Sequence, residues 1–432
     1  MNLRHALLFK TAGLLLLSNS SLVVAQEAGS PRSFSGNLVD VVSSLYGGDG
    51  IRLQGSGAFS HAAHFTGDSL EQFNQLSLGV RDLSFPVLNP HVGIHFRYDA
   101  VLDEFVPVTE SISASAFALD AETVGAGEFH VGLAYSFRRF SELDGVSLND
   151  LSVDLTHMDL GDNGPDLPCI GGPPGECYAF ERDVIRLSID LGVKEEMLAL
   201  TSAYGISDRM DVGLFLPLLK STVDVTSSAS IIEHSSRQFF PESVHLFGGG
   251  GDAPNDSLRA SRTGLGDAVL RVNYGIVAHR DDNWNINASL DVRLPSGQVD
   301  NLQGLPGTGF KPRIVASREI DMGFAIARPH FNIAYGFNAG VNKEQMLDYA
   351  AGGSLVFDLG GADAVLALGA DFLGRHVTAN KDGMGDNQYD VSFGAKLHLR
   401  RGANFYYNVL LPMNDSGLRA DAQHVVGLQF QF

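Results

Sequence analysis

The stretch Gln423-His424-Val425-Val426-Gly427-Leu428-Gln429-Phe430-Gln431-Phe432 decides how the chain is read. Val426, Leu428, Phe430 and Phe432 are apolar and fall on every second position, with Gly427, Gln429 and Gln431 between them. Successive side chains of a strand point to opposite faces, so this is a strand with one apolar face. The question it raises is which solvent that face meets.

The pattern repeats towards the N-terminus. In 284–295, Trp284, Ile286, Ala288, Leu290, Val292 and Leu294 oppose Asn285, Asn287, Ser289, Asp291 and Arg293. Segments 404–413, 387–399, 363–375, 346–358, 323–337 and 308–320 alternate in the same way, as do 264–279, 209–228, 182–204 and 128–140. With the final stretch they make twelve, an even number, as a single-chain bacterial barrel requires. The connections alternate too. Those at 205–208, 279–282, 319–322, 359–362 and 400–403 are tight, whereas those near 141–181, 229–262, 297–307, 376–386 and 414–421 are mostly longer. Short turns at one end and long loops at the other are the asymmetry of outer-membrane barrels, and a soluble sandwich has no reason to sort its loops so. The expected fold is all-β: a 12-stranded antiparallel transmembrane β-barrel over 128–432.

Composition agrees. The chain has 432 residues, a net charge of −20 and 44% hydrophobic residues, so it can bury a large apolar surface and is not disordered. The acidic balance excludes nucleic acid as a partner, because phosphate recognition needs a Lys/Arg surface. Residues 1–25 read as a signal peptide, with Arg4 and Lys10 around the basic region, a short apolar run at Leu14-Leu15-Leu16-Leu17 and a cleavage site at Val23-Val24-Ala25. Beyond residue 25 no run of 18 consecutive apolar residues occurs, so no membrane-spanning helix is expected.

With the apolar faces outward, Tyr274, Trp284, Tyr335, Phe337, Tyr349 and Phe372 are expected in interfacial girdles. The opposite faces would line the lumen, with Arg186, Asp190, Arg271, Asp291, Arg293, Lys311 and Arg313 followed by Arg328, His330, Asp371, Asp390, Lys396 and His398. Two readings of this basic lining stand: a salt-bridge lattice that stiffens a small barrel, and a substrate-selective ladder. The first long loop carries Cys169 and Cys177 across a Gly/Pro turn, which in an exported chain reads as one disulfide. Residues 141–181 hold nine acidic residues and no Lys or Arg. This is either a solvated, self-repelling loop or, around Asp159, Asp162, Asn163 and Asp166, a set of oxygen ligands for Ca²⁺.

Residues 26–127 lack the barrel pattern and are expected to form an N-terminal plug or periplasmic segment. Leu70, Phe73, Leu76, Val80 and Leu83 recur at helical spacing, which predicts a short amphipathic helix over 69–83. Residues 92–98 alternate, and 105–108 could return beside them as a hairpin. No Gly-x-Ser-x-Gly, His-Glu-x-x-His or Walker motif occurs, so no catalytic residue and no enzyme activity are assigned.

The terminal apolar positions Val426, Leu428, Phe430 and Phe432 resemble the C-terminal signal by which the barrel-assembly machinery recognises bacterial outer-membrane proteins. Three further elements, Tyr204-Gly205-Ile206-Ser207-Asp208-Arg209-Met210-Asp211-Val212-Gly213, Thr263-Gly264-Leu265-Gly266-Asp267-Ala268-Val269-Leu270-Arg271 and Leu290-Asp291-Val292-Arg293-Leu294-Pro295-Ser296-Gly297, are similar to strand–turn–strand and paired motifs of one outer-membrane family. That family is catalogued as transporters of a phenol-degradation (MetA) pathway. The resemblance covers 128–432 and, more weakly, 69–127. It implies a barrel in the bacterial outer membrane, in contact with its lipid, that passes small hydrophobic or aromatic solutes. The alternative is a structural or adhesive surface barrel that contacts partners through its acidic, disulfide-stapled loops.

Overall fold

The computed structural model describes residues 30–47, 51, 53–54, 94–99, 104–108, 114–156, 184–233, 245–248, 253–277, 284–339, 345–360, 364–379, 387–399 and 403–430. Residues Pro31–Phe432 form one compact unit, and of the other unit, Met1–Ser30, only Ser30 is among those described. Twelve strands close into an antiparallel barrel. They are β1 (Glu128–Leu143), β2 (Val184–Ser207), β3 (Met210–Ile232) and β4, which runs in two stretches, Asn255–Leu265 and Ala268–Val277. β5 (Asn285–Leu294), β6 (Thr308–Ser317), β7 (Ile326–Ala339) and β8 (Gln345–Asp358) follow. The wall ends with β9 (Ala364–Ala379), β10 (Asn387–Leu399), β11 (Ala403–Pro412) and β12 (Leu418–Phe430). Each pairs with its predecessor, and β12 returns to β1, with Gly427 opposite Ala134. Both stretches of β4 pair with β3, and the partner sum slips by one residue across Gly266-Asp267.

An apolar belt encircles the turn end. On β2, Leu198, Leu200, Tyr204 and Ile206 are exposed, on β1 Phe129, Leu133, Tyr135 and Phe137, and on β7 Phe331, Ile333, Tyr335 and Phe337. On β2 the belt runs nine residues, 198–206. That is about 30 Å along a strand and about 23 Å in height at a tilt of roughly 40°. Its loop-side border follows one line of cross-strand neighbours, Phe137, Glu196, Lys220 and Thr263. There Glu196 accepts hydrogen bonds from Lys220 Nζ at 2.6 Å and Tyr135 Oη at 2.7 Å.

Above this line the two faces exchange character while the strand keeps its parity. On β2 the inward series Ile185, Leu187, Ile189 and Leu191 is apolar and buried, and the outward series Arg186, Ser188 and Asp190 is exposed. Arg186 and Asp190 therefore do not line the lumen. Arg186 faces out and is held by Asp154 at 2.7 Å. The inner surface at this height is packed with the chain's own Leu38, Val41, Leu45 and Leu148, so apolar residues turn inward and charges outward. Burying each such aliphatic side chain is worth about 1.5–3 kcal/mol. β2 and β3, at 24 and 23 residues, are tall enough to build this upper layer, whereas β5 and β6, at 10 each, stop short.

Because β5 pairs only with the second stretch of β4, the edge of the first stretch stands open, and Arg32–Ser33 joins it in parallel at Leu258 and Arg259. Asp256 fastens this N-terminal segment. It accepts Arg32 Nε at 3.0 Å and the Tyr46 amide at 2.6 Å, while Tyr46 Oη donates to Ser227 at 2.8 Å. Further along, Ile94–Asp99 and Glu104–Val108 form the expected hairpin, which pairs with β1 at Glu128, Phe129, His130 and Val131. The helix expected over 69–83, the cysteines 169 and 177 and the acidic positions 159, 162, 163 and 166 lie outside the described residues.

Asp256 lies beyond the apolar belt. Partial burial pushes its carboxyl up, but Arg32 and the amides of Tyr46 and Ser257 outweigh it and hold the group below the usual carboxylate range. A carboxyl held low stabilises the docked arrangement above its ordinary titration range, near pH 4, and that contribution is lost as pH falls through the lowered value. A nitroxide at the exposed position Ser43 is expected to gain mobility on acidification from pH 7 to pH 3, and Asp256→Asn is expected to reproduce the gain at pH 7.

Candidate functional site

The turn-end half of the barrel holds a length of the chain itself. Residues 114–126 run inside the wall, with Ala114, Ser115, Ala116, Ala118, Leu119 and Ala121 all buried. Small side chains allow this passage, and the wall thins to meet it. A Cβ on Gly394 would collide with the Ala114 carbonyl, and one on Gly205 with that of Gly125. The segment forms no ladder with the strands. Wall side chains satisfy its backbone instead. Ser354 Oγ accepts the Ala114 amide at 3.3 Å, Asn408 Oδ1 that of Ala116 at 3.1 Å, and Ser317 Oγ that of Ala121 at 2.9 Å. Asn332 takes both polar groups of Leu119, accepting the amide and donating to the carbonyl at 2.9 Å each. Asp211 accepts the Val124 amide at 3.1 Å, and Asn287 donates to the Glu122 carbonyl at 3.0 Å.

Charge reinforces this seating. Asp120 and Glu122 of the segment face His330 and Arg328 of β7 at 3.2 and 3.4 Å. His330 is bonded on its other nitrogen to Asp371 at 2.8 Å. Asp371 also accepts Ser115 Oγ at 2.6 Å and Ser392 Oγ at 2.7 Å. Serine, histidine and aspartate thus meet here, with Ser115 and His330 both bonded to Asp371. The arrangement is a lock between segment and wall.

On the loop side of the segment lies a chamber of about 160 Å³ lined by Phe117 of the segment, by Phe140 and Leu418, and by a charged ladder. Asp348 accepts Lys311 at 2.6 Å and Arg375 at 2.8 Å. Asp291, behind the lining, is gripped by Arg271 at 2.7 Å and reached by Arg313 at 3.3 Å. Arg138 pairs with Glu195 at 3.2 Å and lies over the Phe140 ring, and Arg419 pairs with Asp390. Among the described residues no group of three or more His, Cys, Asp or Glu side chains is placed to hold a metal ion.

Of the lumen residues expected from sequence, Arg271, Asp291, Lys311, Arg313 and Asp390 belong to this ladder. Arg328, His330 and Asp371 hold the segment, and Lys396 is buried near its two carboxylates. Arg293 binds Asp267 and the Leu305 carbonyl at the loop-side rim, and His398 is buried on β10 near the turn end. Arg186 and Asp190 stand outside. Sequence reasoning passed over Arg138, Glu195, Asp348, Arg375 and Arg419. Strand parity alone would have found Asp348 and Arg375, whereas Arg419 sits at a register shift where the period breaks.

No protein-family model matches the sequence, and no curated protein matches it, so the resemblance to the MetA-pathway family rests on the short motifs alone. Several solved barrels are similar in structure. An outer membrane channel of the COG4313 group from Pseudomonas putida F1 is 12% identical at a TM-score of 0.38, over 72% of this chain and 98% of that one. The NanC porin is 11% identical at 0.29, over 51% and 94%, and a Pseudomonas aeruginosa FadL homologue is 10% identical at 0.31, over 70% and 89%. At such values the likeness carries no inference about activity.

Asn332→Ala removes both anchors of Leu119 and strands two buried backbone groups, a cost of about 1–3 kcal/mol each. Amide exchange at Leu119, followed by mass spectrometry, is expected to accelerate at least ~10-fold while the barrel amides of β9 and β10 keep their protection.

Proposed function

We propose that the chain is an outer-membrane channel for small solutes whose interior segment, residues 114–126, is its gate. The observation that carries this reading is how the interior is filled. A barrel closed for stability alone is best packed with apolar side chains, because a buried ion pair competes poorly with a hydrophobic replacement. Here the space on the loop side of the segment is a charged chamber, and the segment beneath it is held by side-chain hydrogen bonds that water can replace. The outward belt supports the medium. Its height matches the apolar band of roughly 25 Å that outer-membrane barrels present to lipid. Closing the ladder into a ring pairs backbone groups that lipid would leave unsatisfied. The solutes are small, of the size of one aromatic ring, and the family resemblance adds that they are hydrophobic or aromatic. Its assembly machinery and its lipid are the remaining partners of this reading.

Two measurements test it. Leu270→Arg, in the middle of the belt, is expected to cost about 2–4 kcal/mol in urea titrations of the protein in lipid vesicles, while Ser188→Arg, on the outward face of β2 above the belt, costs less than ~0.5. Equal costs would remove the membrane from the proposal. The gate is tested by a tether. An added Cβ on Gly369 would lie 3.0 Å from that of Ala114, close enough for a disulfide after a shift of roughly half an ångström. With Cys169→Ser and Cys177→Ser in the background, Ala114→Cys with Gly369→Cys is expected to silence single-channel openings when oxidised and to recover them with reductant. Openings that ignore the redox state would show that the segment does not gate.

A further inference from the structure

We infer that the chamber selects small organic carboxylates with an apolar body about the size of a benzene ring. The inference rests on the channel reading for the solute's route and goes beyond it in naming the class. Counting the groups paired to it from behind, Glu195 on Arg138 and Asp291 on Arg271 and Arg313, the lining ladder holds, among the described residues, six cations, Arg138, Arg271, Lys311, Arg313, Arg375 and Arg419, against four carboxylates, Glu195, Asp291, Asp348 and Asp390. The whole chain has the opposite balance, −20, so the basic lining is a local arrangement.

The pairing is also uneven. Asp291 is already gripped by both arms of Arg271, at 2.7 Å on one of them, and Arg313 reaches the same carboxylate through one nitrogen at the longer 3.3 Å. Asp291 therefore needs one arginine and has two. Arg313 extends from it into the chamber, and its remaining donors match the fork of a carboxylate. A lattice built only for stiffness would balance its charges. A surplus cation in a partly desolvated place is costly unless an anion completes it.

The chamber's size and its other wall set the rest of the ligand. A volume of about 160 Å³ is close to that of an engineered ~150 Å³ cavity that holds benzene. Phe117, Phe140 and Leu418 supply apolar surface beside the cations, so a ring or short aliphatic body would lie against them with its carboxylate on Arg313 and Lys311.

Calorimetric titration of the full chain in detergent, with benzoate, the neutral benzamide and the cation benzylammonium, tests this. One saturable site for benzoate is expected, on the order of ten-fold or more tighter than for benzamide, with no binding of benzylammonium. Arg313→Gln leaves Asp291 on Arg271 and is expected to weaken benzoate about ten-fold, and Arg313→Lys to restore part of the loss. If Arg313→Gln fails to fold, as judged by the heat-shifted mobility of closed barrels, Lys311→Gln takes its place, because Asp348 keeps Arg375. Benzamide matching benzoate, or benzoate binding untouched by both variants, overturns the inference. Flux into proteoliposomes separates it from the channel reading. Equal flux of benzoate and benzamide without preferential binding sinks the anion and leaves the channel, whereas preferential binding with no flux of any solute upholds the anion and sinks the channel.

Discussion

A strand cannot choose its faces residue by residue. Once one side chain points inward, every second one must, until a bulge resets the count. β2 keeps one parity over 21 of its 24 residues, from Ile185 to Gly205, and that constraint organises everything around it. Where the outside is apolar, the inward series is polar or small, as with Thr201 and Ala203. Beyond Glu196 the outer face is polar, and the same inward series becomes Leu191, Ile189, Leu187 and Ile185. The barrel is one ring of hydrogen bonds with two interiors stacked in it, one apolar and one charged.

Each interior is filled from the chain's own N-terminal side, by opposite means. The loop-end layer takes Leu38, Val41 and Leu45, which contribute area and little direction. The turn-end layer takes a segment of small residues whose amides are met by Asn332, Asn408, Ser317 and Asp211. Hydrogen bonds fix register and exchange readily for water, while apolar burial resists exposure. The first layer is therefore held by area and the second by directed bonds.

Most of the wall was legible in the sequence because alternation is a local signal. The twelve segments and the outward placing of Trp284, Tyr335 and Phe372 follow from counting residues. The site was legible in part. Arg271, Asp291, Lys311 and Arg313 fall on the inward parity of strands in the belt, where polar means lumen. The same rule misplaced Arg186 and Asp190, because a sequence does not announce the height at which the outer face turns from apolar to polar. Residues 114–126 gave no sign of their position, since their backbone partners are single side chains up to 292 residues away. Such pairings have no period to read.

The hairpin beside β1 changes what the seam of the ring is. From Gly427 opposite Ala134, continued pairing would set Phe430 against Val131, yet Val131 faces Ile94. The first strand's edge is thus shared, its upper part with the last strand and its lowest residues with a stretch made earlier in the same polypeptide. An edge so occupied offers no template to a neighbouring copy, which is how sheets avoid sticking to one another. The final strand, for its part, completes the circle against a border already partly taken.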